Sequence, residues 1–484
     1  MVNEVAGIEN ADGLEGAQRD AIAVLLATWR DVLSKNAEKR SYFDGDIPIR
    51  ELGVSSIPKG VKVDVSCDWP RKAVMAVANR SRFRGFVFEN GETDATMERI
   101  ERTNSIITAY SRFLPSELIH GCMSATVGGS KGAPEVRFHS AESSVMTWDT
   151  SKERIASGLA VADSITDPVT HRIKPTKVNL YLPRVTVEIE RTGDNAWTAQ
   201  QRPHPLDRPM MEAFRHAPTG LQPMGTSRIT RSLRCATDAA LRILVDVQVA
   251  TETNAAPQKY ALGLSVEQFM ALAKDTRSAY AGAMMLATTD ENGGHPDFGQ
   301  LPGANLGNFA DVLSMWARQV SSMTGVPLSE LGVVAENQYY ESRESLVMAA
   351  EDLNDYSREA LQNVALMALC VNEDCTLDGL DESKRGVMAD FKNPARPSIT
   401  ATADYMTKVG AQDTGIVGTP FYYGEFGYSK SQIARIQSEK SKAAASMALN
   451  ALIAAQAGVT AQEGQAPAED ENEPENASDE AVEG

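Results

Sequence analysis

Apolar side chains recur at alternating gaps of three and four residues in two stretches in the second half of the chain. The first stretch carries Leu306, Phe309, Leu313, Trp316, Val320 and Met323. The second begins near Glu341 and carries Leu346, Ala349, Leu353, Tyr356, Ala360, Val364 and Met367. This spacing predicts one apolar face on each of two helices. Gly325 and Pro327 predict the end of the first helix, because Gly tolerates positive φ and Pro cannot continue the hydrogen-bond ladder.

The first half of the chain mixes helical and strand-like patterns. Helical spacing of apolar residues predicts helices at about residues 17–38, 68–81 and 96–119. Short apolar segments bounded by turn residues predict strands at 85–90, 177–183 and 184–191. Helices and strands in this mixture predict an α+β fold.

The segment that begins at Gly225 predicts one long helix with Thr226 or Ser227 as its N-cap. Its apolar stripe would consist of Leu233, Ala240, Leu244 and Val247. Its exposed side would carry the basic residues Arg228, Arg231, Arg234 and Arg242. Such a face is either solvated and ion-paired, or it is turned toward a neighbouring subunit or nucleic acid.

The net charge of −18 is unevenly distributed over the 484 residues. No Lys or Arg follows Lys442, and nine acidic residues between Glu463 and Glu483 supply half of the net charge. Low hydrophobicity and high charge predict that this segment is disordered, either as a solubilising extension or as a docking peptide. The rest of the chain is only mildly acidic and predicts weak, non-specific binding of nucleic acid, since clustered Lys and Arg supply most such affinity.

The sequence offers little support for catalysis, metal binding or membrane insertion. The phosphate-binding motif G-x-x-x-x-G-K-[ST] and the metalloprotease motif H-E-x-x-H do not occur, and the six histidines have no ligand spacing. Cys370 and Cys375 could pair on a metal, but no His or second Cys pair is nearby. The odd count of five cysteines predicts reduced thiols, and the short apolar runs and acidic start predict a cytoplasmic protein.

Several segments, in this order and spacing, resemble the portal proteins of tailed bacteriophages, in the form common in phages of actinobacteria. They are YFDG at Tyr42, DWPRKAVMAVANRSRFRGF at Asp68, NSIITAYSRFLPSELIHGCMSATV at Asn104, GTSRITRSLRCATDAAL at Gly225, PQKYALGLS at Pro257 and ARQVSSMTGVPLSELG at Ala317. The resemblance covers about residues 17–456.

The resemblance implies a portal fold with an α/β wing, long stem helices, a small α/β clip insertion and a helical crown. Copies of such a chain, usually twelve, form a ring around a DNA channel. The implied regions are an arm and wing at 1–224, stem helices at 225–254 and 304–324, a clip at 255–303, a tunnel loop at 325–340, a long channel helix at 341–372, a return to the wing at 373–420, a crown at 421–460 and the acidic tail at 461–484.

The resemblance also assigns candidate site residues. The channel and tunnel-loop set is Gly325, Pro327, Glu330, Glu336, Asn337, Gln338, Tyr339, Tyr340, Glu341 and Glu344. The set for stem and subunit contacts is Arg228, Arg231, Arg234, Arg242, Leu313, Trp316 and Val320. The four carboxylates either keep DNA centred by repulsion or are ordinary exposed side chains. At Asn337–Tyr340 the chain departs from the Asn-Pro-x-Ser that relatives often carry, which blurs the end of the loop.

The function implied by the resemblance is conduction of double-stranded DNA during genome packaging and ejection, without cofactor, metal or catalysis. Implied partners are further copies of the chain, the terminase large subunit, the major capsid protein and a head–tail adaptor. The implied location is the portal vertex of the virion, and the host cytoplasm during assembly. The alternatives are another structural head protein, such as a minor capsid or connector component, and an unrecognised enzyme.

Overall fold

The computed structural model describes residue 5 and residues 7–47, 65–89, 93–168, 173–193, 196–255, 259–264, 284–288, 297–300, 305–332, 341–395, 399–428 and 430–462. The chain divides into two compact units, Met1–Ala395 and Arg396–Gly484. Helices and strands are mixed in the first unit, and the second is helical where it is described. The predicted α+β fold is thereby confirmed.

The helices of the first unit are α1 (Gly16–Asp44), α2 (Trp69–Ala78), α3 (Ala95–Thr103), α4 (Ile106–His120), α5 (Arg231–Ala255), α6 (Leu306–Thr324), α7 (Glu341–Glu373) and α8 (Glu382–Arg385). Those of the second unit are α9 (Ile399–Gln412), α10 (Pro420–Glu425) and α11 (Lys430–Gln462). Within the described ranges, no helix is both long and apolar enough to cross a membrane.

The strands are β1 (Phe83–Val87), β2 (Cys122–Ser130), β3 (Ala133–Ser140), β4 (Ser144–Asp149), β5 (Arg154–Thr166), β6 (Ile173–Leu182), β7 (Val185–Arg191), β8 (Trp197–Pro203), β9 (Met211–Arg215), β10 (Lys259–Leu264), β11 (Met284–Thr288), β12 (Asp297–Gln300) and β13 (Met388–Phe391). They form sheets in the orders β4-β5-β6-β7-β8, β3-β2-β9, β11-β10-β12 and β1-β13. All neighbouring strands are antiparallel except β10 and β11.

One face of the five-stranded sheet is covered by α1 and by the residues that precede it. Ile8, Ile22 and Trp29 are buried there against the apolar side chains of the strands. The preceding segment also lies along β8, because the Asp12 amide donates to the Trp197 carbonyl (2.9 Å) and the Asp12 carbonyl accepts from the Ala199 amide (2.7 Å). The start of the chain therefore belongs to the core of this sheet.

A second core lies between α4, α7 and the sheets β3-β2-β9 and β1-β13. Tyr110 is fully buried at its centre, with ring centroids of Phe83, Phe138, Phe214 and Phe391 at 5.9 to 6.4 Å. The C-terminal half of α7 is buried on more than one face, since the consecutive residues Met367–Cys370 are all inaccessible or nearly so. This half of α7 therefore lies inside the second core.

The helix predicted at 96–119 is two helices, α3 and α4. The break is at Asn104, whose side chain donates to the Pro134 carbonyl (3.0 Å) and accepts from the Val136 amide (2.9 Å). The next residue, Ser105, has φ 50° and turns the chain into α4. Bonds to β3 thus override the continuous helical pattern of the sequence.

Candidate channel-lining and subunit-contact region

The two predicted stem helices, α5 and α6, pack against each other. Their contact forms an apolar cluster, here called the stem cluster, that also includes residues of α2 and of the turn after α6. Its members are Cys67, Trp69, Ala73, Leu233, Ala236, Ala240, Leu241, Ala317, Val320, Val326, Leu328 and Leu331. Small side chains such as Ala236, Ala240 and Ala317 at the contact allow the two helices to approach closely.

The helix α5 begins at Arg231 instead of near Gly225, so the prediction of Thr226 or Ser227 as N-cap is wrong. The Thr226 amide donates to the His216 carbonyl (2.8 Å), and the Ser227 hydroxyl donates to the Ile119 carbonyl (2.5 Å). The first bond ties the segment to the residue after β9, and the second ties it to the end of α4. The Thr230 hydroxyl instead accepts from the Leu233 amide at 3.3 Å, as an N-cap side chain does.

Arg228 lies in this non-helical segment, so its predicted place on an exposed helix face is wrong. Its Nε donates to the Ala73 carbonyl (2.6 Å), and its Nη2 donates to the Thr324 carbonyl. Its backbone amide donates to the Leu118 carbonyl (2.8 Å). Burial lowers the pKa of the guanidinium to about 10. The guanidinium is thus held at the C-terminal end of α6, where the helix dipole favours a cation.

Arg234 is held within the chain, against α1. Its Nη1 is 3.6 Å from the Glu38 Oε2, and its guanidinium lies 5.9 Å from the centre of the Tyr42 ring. The Tyr42 hydroxyl donates to Asp238 Oδ1 (2.7 Å) and reinforces the same contact. Arg231 is exposed and Arg242 is half-buried. For Arg234, therefore, the ion-paired alternative is the one that the structure supports.

The apolar stripe predicted on α6 divides between the core and the surface. Val320 is fully buried in the stem cluster, so this side chain contacts its own chain, and Leu313 and Trp316 are partly buried beside it. Val312, Met315 and Met323 are 39–54% exposed and form an outer face of α6. Leu306, in the first turn of the helix, is 39% exposed. The helix is rotated so that Ala317, Val320 and Thr324 face the core.

The first part of the predicted tunnel loop is a packed turn. Gly325 ends α6 at φ 70°, with its amide donating to the Ser321 carbonyl (2.8 Å). Pro327 is buried, and its carbonyl accepts from the amides of Glu330 (3.0 Å) and Leu331 (3.2 Å). The Trp69 indole donates to the Leu331 carbonyl at 3.4 Å. Gly325 and Pro327 thus anchor the turn to the stem cluster.

Of the candidate carboxylates, Glu330 and Glu344 are exposed on either side of the loop. Glu341 is the first residue of α7, where the sequence predicted that helix to begin, and only its backbone is described. Glu336 and the segment Asn337–Tyr340 lie outside the described residues. Contact of this set with DNA stays a prediction.

On α7 the buried face differs from the predicted stripe. Tyr356, predicted on the apolar face, is 41% exposed. The polar residues Asn354 and Ser357 are buried instead, beside Leu353 and Leu361. A prediction that considers only apolar residues misses polar residues that neighbouring elements bury.

The sequence reasoning also missed a buried carboxyl group on α4. Glu117 is fully buried, and neither of its carboxylate oxygens has a hydrogen-bond partner in the described part of the chain. Burial raises the pKa of this carboxyl to about 8, so that it is mainly protonated at neutral pH. The signal was present in the sequence, because Glu117 lies seven residues after Tyr110 and three after Leu114, on the face of α4 that faces the core.

Two histidines are buried in the neutral form. His120 ends α4, and the pKa of its imidazole is lowered to about 4 by burial and by the nearby charges of Lys39 and Arg40. His139 on β3 lies 2.9 Å from the Thr126 hydroxyl, and burial lowers its pKa to about 4. Among the residues described, no three His, Cys, Asp or Glu side chains gather as metal ligands.

No protein-family model matches the chain. It is 24% identical over 441 residues to the portal protein of Mycobacterium phage L5, in an alignment that covers 86% of this chain and 87% of the relative. It is 23% identical over 427 residues to the portal protein of Mycobacterium phage D29, in an alignment that covers 84% of this chain and 85% of that relative.

Solved structures that align with the chain come from a gene transfer agent (GTA). They are the neck of the native GTA particle computed with C12 symmetry (TM-score 0.38, 13% identity) and the virion of the native particle (TM-score 0.40, 14% identity). Each alignment covers 75% of this chain and 90% of the matched chain. These TM-scores are too low to define a common fold, whereas the two sequence relatives match the chain over most of its length. The chain is therefore similar over most of its length to the portal proteins of two mycobacteriophages, and the resemblance seen in its sequence is confirmed.

Proposed function

We propose that this chain is a portal subunit, copies of which form a ring around a channel for double-stranded DNA at one vertex of a phage capsid. DNA enters the capsid through the channel during packaging and leaves through it during ejection. The observation that carries the proposal is similarity to a curated portal protein over 86% of this chain and 87% of that relative. Similarity of that extent includes most of the segments for which we propose the wing, stem and loop roles.

The stem region supports the proposal. A ring built by head-to-tail contacts needs two different complementary surfaces on each copy. The outer face of α6 leaves Met315 54% exposed and Val312 42% exposed in the single chain, which is apolar surface that a neighbouring copy would cover. The exposed carboxylates Glu330 and Glu344 suit a channel wall that passes DNA of any sequence without gripping its phosphates.

The partners in this role are further copies of the chain, about twelve in a closed ring, and double-stranded DNA bound without sequence preference. The terminase large subunit would dock during packaging, the major capsid protein would surround the ring, and a head–tail adaptor would attach afterwards. The subunit would be in the host cytoplasm during assembly and in the virion thereafter. This role is structural and requires neither a cofactor nor catalysis.

Electron microscopy of the purified full-length protein tests the proposal. We expect closed rings with an axial hole, and monomers at every salt and protein concentration would contradict it. Met315→Glu should weaken the ring, because it places a charge on the outer face of α6. Ile165→Glu is the matched control, since Ile165 is 58% exposed on β5, away from α6. A compact assembly without an axial hole would favour another structural head protein.

The loop can be tested separately by replacing residues 333–340 with Gly and Ser. The replacement leaves Val326, Leu328 and Leu331 in the stem cluster, where their removal would disturb folding. We expect these rings to assemble but the heads to package or retain less DNA than wild-type heads. Heads filled normally with DNA would show that these residues do not act on the DNA.

A further inference from the structure

The C-terminal end of α7 brings two cysteines into contact. Asp374 has φ 58°, the left-handed conformation that ends many helices, and the Cys375 amide donates to the Cys370 carbonyl at 3.1 Å. This bond spans five residues and places the side chains before and after the turn against each other. The two thiols accordingly lie near enough to act on each other. Both cysteines are free thiols in the structure.

The surroundings of the two sulfurs differ. Cys370 is 1% exposed in the second core, while Cys375 is partly exposed at the surface. Arg385 is close enough to act on the Cys370 thiol electrostatically, and its Nε is fixed by a bond to the Leu380 carbonyl (2.8 Å). A reagent from solution therefore meets Cys375 first.

We propose that Cys370 and Cys375 are a redox-sensitive pair that closes to an intrachain disulfide with a low-molecular-weight disulfide, and so staples the end of α7. The inference does not depend on the proposed function. It concerns a chemical modification of the chain. The disulfide would close a loop made of the short segment between the two cysteines.

The reaction is two thiol–disulfide exchanges. The Cys375 thiolate attacks one sulfur of the reagent disulfide, forms a mixed disulfide and releases one reagent thiolate. The thiol of Cys370 then loses its proton and attacks the Cys375 sulfur, which releases the second reagent thiolate. The protein loses two hydrogen atoms, and the reagent disulfide is reduced to two thiols. The pKa of the Cys370 thiol is raised to about 12, mainly by burial, so Cys375 starts the reaction.

The disulfide would stabilise the part of α7 that is buried in the second core. Leu361, Val364 and Leu369 are fully buried there, and the chain after Cys375 continues directly into α8 and β13. A cross-link restricts the unfolded chain more than the folded one, which already holds the two sulfurs together. We therefore expect the oxidised chain to unfold at a temperature a few degrees above that of the reduced chain.

The test uses the full chain with Cys235→Ser, because Cys235 is exposed and would cross-link copies. The protein is treated with oxidised glutathione, unfolded with iodoacetamide present and digested with trypsin. One tryptic peptide, Glu359–Lys384, contains both cysteines and no others. We expect this peptide to carry no alkyl group and to be lighter than the reduced peptide by two hydrogen atoms. The thermal midpoint of the treated protein should exceed that of the untreated protein, and dithiothreitol should reverse the increase.

Two results would overturn the inference. One is full alkylation of both Cys370 and Cys375 after oxidant treatment. The same treatment must convert Cys235 of the unsubstituted chain completely to its glutathione adduct, which shows that the oxidant was active. The other is a stable glutathione adduct on Cys375 that Cys370 does not displace. Cys375→Ser serves as the matched variant, since it keeps the turn and should show no oxidant-dependent change in the thermal midpoint.

Discussion

Replacing Glu117 by Gln should make the protein more stable at neutral and alkaline pH. The carboxyl is fully buried and neither of its oxygens has a hydrogen-bond partner among the described residues. Burial raises its pKa from 4.5 to about 8. Gln has nearly the same shape and cannot ionise, so the substitution removes the titration and leaves the packing of α4 in place.

The sign and size of the effect follow from the two pKa values. Below pH 4.5 the carboxyl is protonated in the folded and the unfolded chain, and its ionisation costs no stability. As the pH rises from 4.5 to about 8, the unfolded chain releases the proton while the folded chain keeps it. The free energy of unfolding then falls by about 1.4 kcal/mol per pH unit. The loss is on the order of 3 kcal/mol at pH 7 and levels off above the folded pKa.

The assay is denaturant unfolding of the wild type, Glu117→Gln and Glu98→Gln at a series of pH values and one protein concentration. Glu98 is exposed on α3 and controls for the loss of one carboxylate. We expect Glu117→Gln to match the wild type near pH 4.5 and to exceed it increasingly toward pH 8. If Glu117→Gln is instead less stable than the wild type at pH 8, the carboxylate is ionised and paired in the folded chain, and the reasoning fails.

Two further substitutions test other parts of the structure. Arg228→Met should lower the free energy of unfolding by about 3 kcal/mol, because the carbonyls of Ala73 and Thr324 lose a charged donor; calorimetry against the exposed Arg231→Met measures this, and equal stability of the two would contradict the assignment. Ile8→Ala should cost about 2–5 kcal/mol, since Ile8 is fully buried under the five-stranded sheet. Ile173→Ala is its control at 48% exposure, and a loss no larger than that of the control would show that the start of the chain is not part of the core.

Much of the secondary structure could be predicted from the sequence because its signals are local. The end of α6 at Gly325 and the start of α7 at Glu341 are where the residue pattern predicted them. Strand β7 lies where a strand was predicted at 184–191, and β6 overlaps the segment predicted at 177–183 but begins four residues earlier, at Ile173. The prediction failed at the start of α5, because Ser227 and Arg228 bond to carbonyl groups that are distant in sequence. No local pattern contains those partners.

At the candidate site, too, some features could be predicted from the sequence and others depend on tertiary contacts. The sequence placed Gly325 and Pro327 between two helices, but the packing of this turn depends on Trp69 and on the α5–α6 contact. Likewise, the helical spacing marked Val320 and Trp316 as one stripe, and only the packing against α5 decided that Val320 is buried while Trp316 keeps some exposure.

By itself, the sequence determined the α+β class, the positions of most helices and the resemblance to phage portal proteins. Each of these depends on residue order and on interactions between near neighbours in the chain. The tertiary structure alone decided which polar groups are buried, as with Ser357 on α7, and which charged side chains bond within the chain, as with Arg228. The physical reason is that desolvation and hydrogen bonding depend on groups that folding brings together, and for Arg228 those groups lie 155 and 96 residues away.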